Sequence, residues 1–167
     1  MLTGAHLHLL VNHAPIFGAL FAVCLFLASY VWAPDVLRRT AFVVLVFTGL
    51  AGAISNYTGD PAEDGIRGFP GVKRALIREH EEMGEKSFIV ASLVGVVAIV
   101  LLARARRAPV SRGVAATGLV ASLVVFGMMA YTGLLGGRVR HTEVRPGATP
   151  ADAAVVEPPR ARPPATP

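Results

Sequence analysis

The chain has 167 residues, 53% of them hydrophobic and only 16% charged, with a mean hydropathy of +0.56. Soluble domains carry about 25% charged residues, so the composition argues against one and for a membrane protein. The net charge of +5 is not a nucleic-acid signal, because residues 33–39 and 104–112 hold six arginines against one aspartate and the remainder balances.

Four apolar segments are long enough to span a bilayer: residues 14–32, 40–57, 87–103 and 113–136. The start, Met1-Leu2-Thr3-Gly4, lacks the basic residues of a secretory leader, and the first apolar run is too long for one. It is expected to be a retained helix. Pro15 removes one helix hydrogen bond, so residues 4–13 are either a short separate turn or a kinked extension of the first span. Cys24, the one cysteine, lies mid-span and is expected to pack as a small hydrophobe. Residues 33–39 read as a tight loop. Thr48, Ala51, Gly52 and Ser55 give the second span a small-residue face.

Residues 58–71 are rich in Gly and Pro and read as a series of turns. A third helix is expected from near Val72, running without a break through His80 and on to the apolar residues. His80, Gly84, Ser87, Ala91 and Gly95 share one of its faces, a stripe of small residues under a histidine that could admit a flat ligand. The fourth span ends in Gly136-Gly137-Arg138-Val139-Arg140-His141. The expected organisation is one transmembrane domain over residues 1–145 and a disordered Pro- and Ala-rich tail over 146–167. Short loops rich in arginine face the cytoplasm, which puts both termini on the extracytoplasmic side of a bacterial inner membrane.

All five histidines, His6, His8, His13, His80 and His141, fall toward that outer side. Ionisable residues at a bundle mouth are functional candidates. At about 1.5 Å of rise per residue, His8, His80 and His141 share a level and His13 lies deeper. The second span ends in Tyr57-Thr58-Gly59 and the fourth in Tyr131-Thr132-Gly133. This suggests two helical hairpins related by a pseudo-two-fold axis, which would pair His13 with His80 and leave His8 to pair with His141. Haem b between two imidazoles is the favoured cofactor. Copper, zinc or non-haem iron on His8, His13, His80 and His141 is the alternative. Glu81, Asp60 and Asn12 are candidates to orient the ligands. A proton path and a purely structural role for the histidines also remain open. No nucleophile with its base, phosphate loop or nucleotide fingerprint is present, so electron transfer or an accessory role is expected rather than a stand-alone enzyme.

The runs His6-Leu-His8-Leu-Leu-Val-Asn12-His13-Ala-Pro15-Ile-Phe-Gly18, Tyr57-Thr-Gly-Asp60-Pro-Ala-Glu63, His80-Glu81-Glu-Met-Gly84, Thr132-Gly133 and Gly136-Gly137 to Arg140-His141 together resemble the bacterial membrane proteins grouped as domain of unknown function 2231. The resemblance covers residues 4–143. It implies a four-helix integral membrane protein and carries no established activity. The histidine layout is similar, by analogy, to that of respiratory-chain accessory proteins. The expectation is therefore an all-α, up-down-up-down four-helix membrane bundle. Its partners would be the lipid bilayer and an extracytoplasmic electron carrier or respiratory complex. A non-redox membrane subunit is the alternative.

Overall fold

The computed structural model describes residues 3–157. Within them the helices are α1 (Gly4–Val11), α2 (Ala14–Ala28), α3 (Pro34–Tyr57), α4 (Gly59–Ile66), α5 (Arg74–Ala105) and α6 (Arg112–Arg140), followed by two short 3₁₀ turns at Thr142–Val144 and Pro150–Ala154. Four rods are long and apolar enough to cross a membrane: α1 with α2, α3 with α4, α5, and α6. The fold is the expected four-helix membrane bundle. α2 and α5 each pack against both α3 and α6, so they lie diagonally across the bundle.

Pro15 decides the shape of the first rod. It sits in the first turn of α2, and Asn12 and His13 ahead of it keep right-handed helical torsions. The chain is therefore two abutting helices, not a turn followed by one. Proline's missing N–H frees the carbonyl four residues back, here that of Val11. Ser55 Oγ on α3 donates to it at 3.2 Å, the neighbouring-helix rescue that membrane interiors require.

Two segments expected as loops are helical. α3 begins at Pro34, with Ala33 in the left-handed region at φ 35° as its cap, so most of residues 33–39 belongs to the helix. Proline is favoured at a first helical position, and Arg39 pairs with Asp35 one turn earlier at 2.7 Å. Residues 58–71 likewise hold α4, whose proline, Pro61, lies in the first turn, where it costs no hydrogen bond. The turn expected there is confined to the segment after Arg67, where Gly68 and Gly71 take positive φ. α5 runs unbroken past His80, as expected. Its 32 residues span about 48 Å, against about 30 Å of hydrocarbon. Its first turns therefore stand clear of the apolar layer.

Small residues bring the rods together. A methyl group on Gly49 would lie 3.0 Å from the Ala91 carbonyl oxygen, and one on Gly95 3.5 Å from that of Leu45, so α3 and α5 touch backbone to backbone. Towards the end that holds the α2–α3 and α5–α6 connections, Phe26 and Phe42 pack edge to face at 5.0 Å among Ala22, Ala41, Leu45 and Ala115. There Arg38, only 6% exposed, donates to the Val110 carbonyl at 2.8 Å, while Asp35 accepts from the Val110 N–H at 2.9 Å. One residue of the α5–α6 connection is thus clamped on both its backbone groups by the first turn and a half of α3. Cys24 is exposed on the lipid-facing side rather than packed inside.

The segment expected to be disordered from residue 146 is held in place as far as Glu157. The Gly71 N–H donates to the Val155 carbonyl at 2.8 Å, and Lys73 and Arg74 pair with Asp152 and Glu157. Residues 158–167 of that tail lie outside the described residues.

Candidate functional site

At the end of the bundle opposite the α2–α3 and α5–α6 connections, α1 and α5 bring two imidazoles together. The rings of His8 and His80 are 6.4 Å apart, centre to centre, and 83° apart in plane. Each is half-buried and each is tied through Nδ1 to a backbone carbonyl. His80 Nδ1 is 3.0 Å from the Thr132 oxygen on α6. His8 Nδ1 is 3.1 Å from the Ser55 oxygen on α3 and 3.2 Å from Thr58 Oγ1. A carbonyl oxygen only accepts, so Nδ1 carries the hydrogen in both rings. In the neutral state each Nε2 then keeps its lone pair. A metal-ligating histidine is commonly held this way, its second nitrogen donating to a carbonyl.

The backbone supports both rings in matching fashion. Thr58 and Thr132 each turn their hydroxyl back to the carbonyl four residues earlier, on Ile54 and Met128, at 3.0 Å. Further in, Thr48 and Ser122 make the same bond to Val44 and Gly118. Buried positions repeat at a constant offset: Ala19 with Ala91 and Phe26 with Ala98 on the odd rods, Ala41 with Ala115 and Ala51 with Val125 on the even ones. His8 and His80 share the offset of the odd rods. The repeated Tyr-Thr-Gly thus falls at matching stations of the even rods, and at the offset of the odd rods the counterpart of His80 is His8 and not His13.

Glycine makes room for one ring. A methyl group on Gly136 of α6 would stand 2.9 Å from His80 Cε1 and 3.2 Å from its Nδ1, so the imidazole lies directly on that backbone. Gly84, one turn below His80, faces the Thr132 methyl group, and Ser87 Oγ is 2.9 Å from Thr132 Oγ1. With Ala91 and Gly95 packed on α3, the small-residue stripe is consumed by helix contacts. It is not the open slot expected of it.

The other expected ligands lie elsewhere. His13 is exposed at the junction of α1 and α2. His141 follows the last turn of α6 in an extended conformation and pairs with Glu143 at 2.9 Å, both exposed. The Glu143 carboxyl is held below its ordinary range by its own backbone N–H first and the His141 ring second. The expected pairing of His8 with His141 is therefore replaced by His8 with His80. His141 follows Gly136, the residue under the His80 ring, by five residues, which at about 1.5 Å of rise each sets it further out than the pair. His6 bonds Thr3 in the capping box of α1. Glu81 is exposed and bonds Glu63 of α4, with Asp60 and Arg67 as its nearest further charges, so neither Glu81 nor Asp60 orients an imidazole. Asn12 keeps its Oδ1 buried without a hydrogen-bond partner.

Among the described residues no group of three or more His, Cys, Asp and Glu side chains is placed to hold a metal ion. What the fold brings together is a pair of imidazoles. Ser55, Thr58, Thr132 and Gly136 were not singled out as site residues beforehand. The two Tyr-Thr-Gly tripeptides were the signal for the threonines; nothing in the pattern marked Gly136 as the floor under a ring. No protein-family model matches the chain, and no curated protein or solved structure matches it either.

Proposed function

We propose that the chain is a membrane-embedded electron-transfer protein in which His8 and His80 hold a haem b iron at the mouth of the bundle. The observation that carries this reading is the imidazole pair itself. The observed separation is 6.4 Å, and both Nε2 atoms are left free by the Nδ1 contacts. Zinc sites take three or four protein ligands, whereas haem needs only axial ones. Two histidines therefore suit haem better than a bare ion. When bound, the haem would supply one-electron exchange, and the two carbonyl contacts would fix the ring orientations and raise ligand basicity. The packed stripe leaves no slot beneath His80, so the reading sets the haem at the level of the imidazoles.

The histidine end is read as extracytoplasmic because the two short loops at the other end carry the net positive charge, six arginines against one aspartate. The bacterial inner membrane, an outer-side electron carrier or respiratory complex as partner, and kinship with the resembled family belong to the same proposal. The second reading is a non-redox accessory subunit whose histidine pair only ties α1 to the bundle. It is favoured by the closed small-residue stripe.

Protein purified from haem-replete cells separates the two. Under the first reading it is coloured, with a low-spin haem spectrum that His8→Ala and His80→Ala each remove and that His13→Ala and His141→Ala leave in place. Colourless protein, or a spectrum that survives His80→Ala, overturns the haem assignment. Elemental analysis of colourless protein for copper, zinc and iron then decides between a bare ion and none.

A further inference from the structure

The lipid-facing surface carries a groove, of about 500 Å³, between α3 and α5. Val43, Val46, Phe47 and Leu50 form one wall, Ile99, Leu102 and Ala103 the other, and Arg106 closes one end. We propose that this groove is a binding site for one anionic phospholipid, with an acyl chain along the apolar walls and the phosphate on Arg106.

The geometry follows from the helices. From Val43 to Leu50 the α3 wall rises about 10 Å, within one leaflet of a hydrocarbon core about 30 Å thick. Arg106 is the residue that ends α5, where the apolar run gives way to Arg104, Arg106 and Arg107, at headgroup level. Among the described residues Arg106 bonds no carboxylate, and the one acid at this end, Asp35, is already committed to Arg39 and the Val110 N–H. An uncompensated guanidinium above an apolar cleft matches a phosphate above a hydrocarbon chain, and arginine can hold phosphate through two parallel donors.

A second groove provides the contrast. It holds about 330 Å³ between α2 and α3, lined by Ala14, Phe17, Gly18, Phe21, Val44 and Phe47. It has no charged residue, so the same cleft chemistry without a cation should take lipid chains with no headgroup preference. Phe47, 54% exposed, is the ridge between the two.

The test uses full-length protein in vesicles of equal phosphatidylglycerol and phosphatidylcholine with identical acyl chains, followed by native mass spectrometry of the lipids that remain bound. The expected result is one retained phosphatidylglycerol, favoured about fivefold over phosphatidylcholine, the preference one interfacial arginine supplies. Arg106→Ala should bring the ratio to near parity while Arg112→Ala leaves it. Ile99→Trp, at a half-exposed position, should fill the groove and remove retention. Parity in the unaltered protein, equal losses from Arg106→Ala and Arg112→Ala, or full retention by Ile99→Trp would each overturn the site, the second by showing only a diffuse cationic belt.

Discussion

Thr58 and Thr132 hold equivalent stations in the two halves of the bundle. The first lies 3.2 Å by its hydroxyl from His8 Nδ1, and the second offers its carbonyl to His80 Nδ1 at 3.0 Å. The halves are alike in backbone but not in the atom presented. His8 shares its proton between the Ser55 carbonyl and a hydroxyl, whereas His80 has one carbonyl and a glycine floor. Thr58→Val should therefore loosen His8, while Thr132→Val keeps the carbonyl contact to His80 and loses the hydroxyl's bonds to the Met128 carbonyl and to Ser87. Each costs about 1 kcal/mol of stability, but only Thr58→Val should shift the spectrum or metal affinity of the site.

Gly136→Ala should displace the His80 ring, since the added methyl group would sit 2.9 Å from Cε1. Overpacking of this kind costs about 1–3 kcal/mol, and cofactor occupancy should fall by tenfold or more. Gly137→Ala meets nothing within 4 Å and should be neutral or slightly stabilising, since alanine is the better helix former by about 1 kcal/mol. Titration of the two variants side by side checks this; equal occupancy would mean the ring does not rest on Gly136.

Deep in the bundle, a methyl group on Gly118 would meet the Phe26 ring at 2.5 Å. Gly118→Ala should lower stability by about 1–3 kcal/mol. Gly127→Ala, with open space around it, should not. Thermal unfolding in detergent reads both, and identical midpoints would contradict the packing of α2 on α6.

Arg38→Ala should leave the Val110 carbonyl without its donor and cost about 1–3 kcal/mol. Arg38→Lys keeps the charge but offers a single point donor in place of the guanidinium fork. It cannot serve both Ser29 Oγ and Val110, so it should recover only part of the loss. Full recovery by lysine would mean that charge alone matters at this site.

The segment after α6 should detach in strong acid. The Asp152 carboxyl is pushed down to about 2 by the Thr149 N–H, then the Thr149 hydroxyl, then Lys73. A carboxyl whose folded value is depressed contributes fully above its unfolded value, about 3.9, and its contribution fades as pH falls through about 2. Amide exchange in residues 142–157 should stay slow above about pH 4 and accelerate below about pH 2. Asp152→Asn should exchange faster at neutral pH and lose this dependence.

The four rods were legible because hydropathy is a property of each segment by itself: about 20 apolar residues in a row must span or be buried, whatever surrounds them. Depth was legible in part: rise per residue put His8 and His80 at one level, where their rings meet, but it set His141 there too, and His141 lies beyond the end of α6, five residues past the Gly136 that touches His80. The ends of helices were read short. Pro34, Pro61 and the Gly136-Gly137 pair look like breakers in isolation, yet the prolines fall in first turns and the glycines meet a ring and open space.

Composition and periodicity by themselves therefore determined that this is an all-helical membrane bundle with its histidines at one end and the net positive charge of its short loops at the other. The tertiary structure alone decided which imidazoles meet. That choice depends on azimuth, set by how α1 abuts α2 at Pro15 and how Ser55 of α3 reaches the freed Val11 carbonyl, and azimuth is a relation between helices that no single segment encodes. The same close approach that puts His8 opposite His80 turned the stripe under His80 into a seam between rods, because backbones brought together by glycine leave no space between them.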